Sequence, residues 1–563
     1  MKELMRRLSA HPFITGELLA ASFFANLLAL ASSLFVIQVL QRYVSYGVDS
    51  TLATLTVGVI AAIVLEFIFR QVRLILVSEH LSEADERWAI GAFGIMTTAK
   101  ITALESLPAG KRREILRGLD QVETTYNGAN ISTLMDIPFA FLFLLALTLL
   151  NTTLGAVAFL FILGANGYHL YSRKRLAEPT RELSETAAVG NSLIATSNRI
   201  SDTIRAFNGG NLLMQAWAKY VKKSQGLRAH IGRRQGQAQS FSQSLQALMG
   251  VAIIAIGAML VVAGDLDVSV LIGANIMAAR ALGPISRYAQ LNEQLIKATQ
   301  TIENLNELTD LDVERDKGTQ IKNYKGGIEF KDMSFAFGES TSPLFEALSL
   351  KINPGSVIMI TGKNGTGKTT LSRMLVGLLD PTRGKILVDN VDLAQTVPAW
   401  WRTQVAYLPQ EPNFLNASIR DNLLCTNPDL DNEALNRCIH DAGLASFVNE
   451  SADGLETQIT DNGYTLSLGI RRRLALARAL TSAGKLVIFD DPTEGLDDEG
   501  RAAVFTAMQT LSKQGRTMII TTADPQILRG ARLILDLNSK PVPTLKRVSP
   551  SARPKLVSEE QSS

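Results

Sequence analysis

Cysteine is nearly missing: the 563-residue chain has two, Cys425 and Cys438, and they lack CxxC spacing. That excludes a disulfide framework or a zinc knuckle as the organising device and leaves two ordinary cytosolic thiols. Histidine is scarce too. His11, His80, His169, His230 and His440 are scattered with no HxxxH pair, so no histidine metal site is expected. An excess of one charge sign is also absent, with 56 Lys+Arg against 53 Asp+Glu, and without a basic footprint nucleic acid is not an expected partner. The N-terminal MKELMRRLSAHPF carries the charge of a leader, but the apolar run behind it is too long for an h-region and lacks a small-residue cleavage site. It reads as the approach to a first membrane span.

What the chain has in quantity is apolar residue: 46% is hydrophobic, high for a soluble protein, so part of it is expected in lipid. Apolar stretches long enough to cross a bilayer fall near 16–40, 51–74, 131–150, 153–171, 245–264 and 268–290. Glu66 and Arg70 stand four apart in the second and are expected to pair on one helix face. Arg280, midway along the sixth, is costly in lipid and is expected to face a wet interior, cargo or a salt-bridge partner. Basic residues cluster at Lys2, Arg6 and Arg7, at Lys111, Arg112 and Arg113, and at Arg173, Lys174 and Arg175. The intervening loops are short and poor in Lys and Arg, so the positive-inside rule places both termini in the cytoplasm. Segments 75–130 and 172–244 are rich in helix formers and are expected to continue the spans as helical arms, reversing near Pro108 and Gly209-Gly210.

Beyond a charged linker the pattern changes. IEFKDMSFAF, SVIMITG, KILVDN, QVAYLPQ, KLVIFDD and TMIITTA alternate with helical runs, which predicts an α/β domain with parallel strands. The expected division is a transmembrane domain at 1–300, a linker at 301–327, a nucleotide-binding domain at 328–540 and a disordered tail at 541–563.

GKNGTGKT, Gly362 to Thr369, fits GxxxxGK[ST] between the strand SVIMIT and the helical TLSRMLVGLL. The spacing has a physical cause. Gly362, Gly365 and Gly367, with Lys363, Asn364 and Thr366 between them, let backbone N–H groups wrap phosphates. Lys368 neutralises the outer phosphates, Thr369 is a Mg²⁺ ligand, and Thr370 follows on the helix. Asp490 closes the strand LVIF as a Mg²⁺ partner. Gln410, after VAYLPQ, can reach the metal or the attacking water. Phe337 either stacks on an adenine ring or packs as a core aromatic. ATP and Mg²⁺ are the expected ligands.

The order P-loop, Gln410, LSLGIRRRLALARAL (466–480), LVIFDD and EGLD resembles the nucleotide-binding domain of ABC transporters, and six spans before one such domain resemble an exporter half-transporter. LMDIPFAFLFLLAL (134–147), ISDTIRAFNGGNLLMQAW (200–217) and ANIMAARALGPISRYAQL (274–291) are similar to stretches of the permease/ATPase of bacterial type I secretion systems. The resemblance implies an all-α transmembrane bundle of six helices with long cytoplasmic extensions, followed by an α/β P-loop NTPase domain of ABC type. It implies a bacterial inner membrane, polypeptide cargo, a periplasmic adaptor and an outer-membrane channel. It also implies a dimer, with ATP held between the P-loop of one chain and Ser467 and Gly469 of the other, beside the D-loop Asp497. The peptidase domain that begins some relatives is not expected here.

The chain departs from that pattern in ETQITDNG (456–463), which keeps an acid at Asp461, and at three further points. LSLGI stands for LSGGQ, so Leu468 and Ile470 replace a glycine and a glutamine. Asp491 stands where the family has the glutamate that polarises water, and its carboxylate is one methylene shorter. Ala523 stands for a histidine that contacts the γ-phosphate, with Thr522 beside it as a partial substitute. Two functions follow: a translocase with slow hydrolysis, as a homodimer or a heterodimer with an intact relative, or a catalytically impaired subunit that binds ATP and regulates a partner transporter.

Overall fold

The structure, a computed structural model, describes residues 2–338 and 342–547. The chain divides into two compact units, Met1–Ala99 with Ala103–Asp312, and Lys100–Thr102 with Val313–Ser563.

The first unit is helical. After a short amphipathic helix, Lys2–Ala10, come α1 (Pro12–Gln38), α2 (Asp49–Thr98), α3 (Ala109–Thr125), α4 (Gly128–Asp136), α5 (Ala140–Leu150), α6 (Thr152–Arg199), α7 (Gly210–Val262), α8 (Val268–Gln290) and α9 (Asn292–Thr309). Six helical stretches among the described residues are long and apolar enough to cross a membrane, and they coincide with the six stretches read from the sequence. Three of them, α2, α6 and α7, run 50, 48 and 53 residues and so outlast a bilayer, as the helix-rich arms required. Breaks lie where punctuation was expected: Pro108 precedes α3, and Gly209 precedes α7. The third span is split. Pro138 lies in a turn at 137–139 that separates α4 from α5, because a prolyl nitrogen cannot donate to the preceding turn.

Packing inside the unit relies on small residues. On α1, Ala21, Ala25 and Ala29 are buried at a spacing of four; on α8, Ala274, Met277, Ala278, Ala281 and Ile285 are buried. A Cβ added to Gly273 would lie 2.3 Å from Ile37 Cγ1, so α8 meets α1 only because a glycine stands there. Elsewhere large apolar side chains point outward, among them Val57, Ile60, Val64 and Phe67 on α2, a surface that lipid accommodates and water does not. Arg70 pairs with Glu66 at 2.8 Å as its spacing predicted. Arg280 finds a partner on another helix, its Nη2 donating to the Ser32 hydroxyl on α1 at 2.8 Å.

The second unit contains two sheets. Strands β1 (Ile328–Phe335), β2 (Phe345–Ile352), β3 (Val357–Thr361), β4 (Arg383–Val388), β5 (Val391–Asp392), β6 (Val405–Leu408), β7 (Leu486–Asp490), β8 (Thr517–Thr521), β9 (Leu533–Asp536) and β10 (Thr544–Arg547) alternate with helices. Those at the site are α10 (Lys368–Leu375), α11 (Leu468–Thr481) and α12 (Asp498–Lys513). The larger sheet has the order β10-β9-β3-β8-β7-β6 and is parallel except for β10. Its central strands are continuous apolar runs, LVIFD and TMIIT being buried at every position, as a sheet covered on both faces requires.

Three expectations change here. The strands IEFKDMSF and RGKILV belong to a second sheet, β2-β1-β4-β5, which is antiparallel throughout; strict alternation was obscured by bulges in β1. The linker expected at 301–327 begins inside α9, which runs to Thr309. The tail expected at 541–563 begins with ordered chain, since Thr544–Arg547 pairs with β9, while residues 548–563 lie outside the described residues.

Candidate nucleotide site

The site lies at the carboxyl ends of β3 and β7, where parallel strands hand over to loops. β3 ends at Thr361 and the glycine loop follows, turning into α10 at Lys368. Gly365 and Gly367 adopt φ values of 79° and 104°, the left-handed region where side chains are strained, and a Cβ on Gly367 would lie 2.6 Å from Leu344 Cδ2. The loop is braced from within and from behind. Thr366 Oγ1 donates to the Lys363 carbonyl at 2.9 Å, and the Lys363 N–H donates to Asn538 Oδ1 at 2.9 Å. Lys540 Nζ donates to the carbonyls of Leu344 and Thr366.

A cleft of about 330 Å³ opens in front of this loop. Its lining includes Phe337, Lys363, Asn364, Gly365, Lys368 and Gln410, together with Thr369, Thr370 and Asp491. Lys368 is buried and its ammonium donates to the Gly362 carbonyl at 2.9 Å, the arrangement of a cation folded back on its own loop. Asp491 Oδ2 is 3.9 Å from it. Thr369 Oγ1 donates to Gln410 Oε1 at 3.1 Å, so the glutamine two residues past β6 reaches the first turn of α10. Phe337 is 58% exposed and meets Phe335 at 4.9 Å between centroids, the two rings near perpendicular.

Asp490 stands behind the cleft and is fully buried. Its Oδ1 accepts a hydrogen bond from Thr521 on β8, while Oδ2 is buried with no partner. Burial pushes its carboxyl up, against the pull of the Thr521 and Thr369 hydroxyls and of the Lys368 charge. A buried, half-satisfied carboxylate beside a threonine hydroxyl and an amide oxygen is an all-oxygen donor set, the kind a hard divalent cation takes. These residues fit Mg²⁺. Burial also raises the Asp491 carboxyl; Lys368 opposes this, and Asp490 and Glu494 add to it. Its backbone has φ 45°, a conformation that Asp tolerates better than most side chains.

Ser467, Gly469 and Asp497 do not line this cleft. Ser467 caps α11, its hydroxyl accepting from the Ile470 N–H at 3.3 Å, and Leu468 beside it is 43% exposed. Asp497 caps α12 through the Gly500 N–H at 2.9 Å and pairs with Arg473 at 2.7 Å; that hydrogen bond holds its carboxyl below the usual range. Thr522 does not take the place expected for it. It is 1% exposed and its hydroxyl accepts from the Asp524 N–H, so it offers nothing to the cleft. Sequence reasoning missed Asn538, Lys540, Thr521 and Glu494. The first two lie just before the residues read as tail, Glu494 was read only as part of EGLD, and nothing in its strand marks Thr521.

Residues 345–494, which hold the loop, Gln410 and both carboxylates, match the family described as ABC transporter. This chain carries an ABC transporter ATP-binding domain. Over 92% of its length the chain is 28% identical to the exotoxin translocation ATP-binding protein PaxB of Pasteurella aerogenes, of which it covers 73%. It is 28% identical over 90% of its length to the toxin RTX-I translocation ATP-binding protein of Actinobacillus pleuropneumoniae, covering 71% of that protein. To the leukotoxin translocation ATP-binding protein LktB of Mannheimia haemolytica it is 29% identical over 90% of its length, again covering 71%. A solved bacterial Atm1-family ABC exporter with ATP bound has the same fold, with a TM-score of 0.81 over 94% of each chain at 17% identity. The ABC domain thus follows a helical unit with six span-length apolar helices, and the chain is a multi-pass membrane protein of exporter fold.

Proposed function

We propose that the chain is one half of a dimeric ATP-driven exporter of the type I secretion kind, carrying a polypeptide outward across a bacterial inner membrane with its ABC domain in the cytoplasm. The observation that supports this most is the cleft in which Lys368, Thr369, Gln410 and Asp491 converge in front of the partnerless Asp490 Oδ2. Phe337 stacks on the adenine, the backbone of Gly362–Thr369 wraps the phosphates, and Lys368 leaves the Gly362 carbonyl to meet the outer ones. Thr369, Gln410 and Asp490 would hold Mg²⁺. When bound, the ion neutralises charge on the phosphates during transfer to water. Asp491 orients and deprotonates that water. Ser467 and Gly469 face the nucleotide of a partner, either a second copy or a related half-transporter, with Asp497 at the same interface. A periplasmic adaptor and an outer-membrane channel would complete the path.

Hydrolysis is slow in this reading. Asp491 is a methylene short of the usual reach, and a misplacement of about 1 Å costs roughly a hundredfold in rate. Ala523 supplies no donor, and Thr522 is turned away. A purely regulatory subunit is the weaker reading, because the phosphate loop and an unsaturated metal-facing carboxylate are both kept in a chain similar to translocation proteins. The test is phosphate release by the purified chain in lipid, compared with Lys368→Ala. A rate above the variant's supports a working ATPase; equal rates would sink a self-sufficient translocase.

A further inference from the structure

Glu494 lies three residues beyond Asp491, in DDPTEGLD, as the first residue of the EGLD segment. Its Oε2 accepts from Gln410 Nε2 at 3.1 Å and from Arg472 Nη2 at 3.3 Å. Arg472 is a buried residue of α11, the helix that Ser467 caps. The Gln410 amide is therefore held at both ends, by Thr369 at its oxygen and by Glu494 at its nitrogen.

The two ends are not equivalent. A hydroxyl can donate or accept, so Thr369 would bond to either end of the amide. An ionised carboxylate only accepts, so Glu494 attracts the NH₂ end and repels the carbonyl oxygen. Of the two partners, Glu494 is the one whose chemistry distinguishes the ends of the amide. The choice matters because Mg²⁺ takes oxygen ligands, and a reversed amide would present it with an NH₂ group.

We propose that Glu494 is a positioning residue, which fixes the Gln410 amide with its oxygen toward Thr369 and so completes the oxygen donor set for the nucleotide's divalent cation. Arg472 pins the carboxylate from α11, tying the orientation of Gln410 to the helix that presents Ser467. This rests on the reading that the cleft holds ATP with Mg²⁺, and the experiment separates the two.

The purified full-length chain in lipid nanodiscs is titrated with a fluorescent ATP analogue at a series of Mg²⁺ concentrations. Two quantities are read: the Mg²⁺ concentration that half-saturates the metal-dependent gain in affinity, and the ratio of affinities with Mg²⁺ and with chelator. For Glu494→Ala and Glu494→Gln the half-saturating Mg²⁺ should rise about fivefold, the upper range for a partly exposed charged contact, and the affinity ratio should fall to match. Glu494→Asp, which keeps the charge, should fall between these variants and the wild type. A purely structural role would change both affinities together and leave the ratio untouched. Glu494→Gln matches the size of the native residue and decides the matter should Glu494→Ala fail to fold. Wild-type values in Glu494→Gln overturn the proposal while leaving the nucleotide reading intact. No Mg²⁺ dependence in the wild type overturns both.

Discussion

Asp491 has a short side chain in a left-handed backbone conformation, 3.9 Å from the loop lysine. Those facts pull in opposite directions on replacement by glutamate. The longer arm gains reach toward water in front of the phosphates, while the left-handed backbone suits aspartate better than glutamate. Reach is worth more, because the conformational difference is a fraction of the roughly hundredfold that a misplaced catalytic group costs. Asp491→Glu is therefore expected to raise phosphate release at saturating ATP by about tenfold or more. An unchanged rate would move the limitation to Ala523 or to the LSLGI segment. At this scale the sequence was legible wherever backbone geometry dictates residue type. Glycines at 365 and 367, the lysine and the threonine could be read because no other residues wrap a phosphate in that register. Glu494 and Thr521 could not, since each matters through contacts with residues 22 or more positions away.

Two elements depend on charges that no local pattern reveals. In the first unit Arg73 on α2 pairs with Asp136, the last residue of α4, at 2.6 Å, and both are buried. Asn26 Nδ2 on α1 donates to the same Asp136 oxygen at 2.9 Å, and Arg73 also reaches Ser22. Three helices are thus joined at one carboxylate. Breaking such a pair from one side leaves an uncompensated buried charge, so Arg73→Met should destabilise the unit by about 3–5 kcal/mol. Arg73→Met with Asp136→Leu should recover most of the loss, measured as thermal unfolding in detergent. Asp136 appeared in the sequence only as a polar interruption of LMDIPF, because its partner is 63 residues upstream. In the second unit Asp536 closes β9 and accepts from Lys546 on β10 at 2.8 Å and from the Asn538 N–H at 3.0 Å. Lys546 first, and then Asn538, hold its carboxyl below the usual range. With the folded value depressed, the unfolded chain takes up the proton first. The contribution is present at neutral pH and is lost as pH falls below the ordinary carboxylate value of about 3.9. Asp536→Asn should therefore melt below the wild type at pH 7, with the gap closing on acidification. Because Asp536 also orders Asn538, which braces the phosphate loop, the variant should bind ATP more weakly as well.

For the whole molecule, the spans and their order were legible because twenty-residue apolar runs have one common use, whereas the second sheet was not, since β1 is bulged and β2 alternates poorly. Sidedness can be checked with a residue the chain happens to have. Cys425 is exposed on the ABC domain, and the other cysteine, Cys438, is half-buried. A membrane-impermeant maleimide should label Cys425 in inverted inner-membrane vesicles and leave it unlabelled in intact spheroplasts; labelling in spheroplasts would reverse the orientation drawn from the basic clusters. The helical arms have a mechanical corollary. α7, at 53 residues and 1.5 Å per residue, is a rod of about 80 Å, more than twice the thickness of a hydrocarbon core. Were it to tilt about the apolar stretch at 245–264, a swing of about 5° would displace the tip of the arm formed by 210–244, about 50 Å long, by roughly 4.5 Å. Leverage of that kind lets modest work at one extremity become a wide opening at the other.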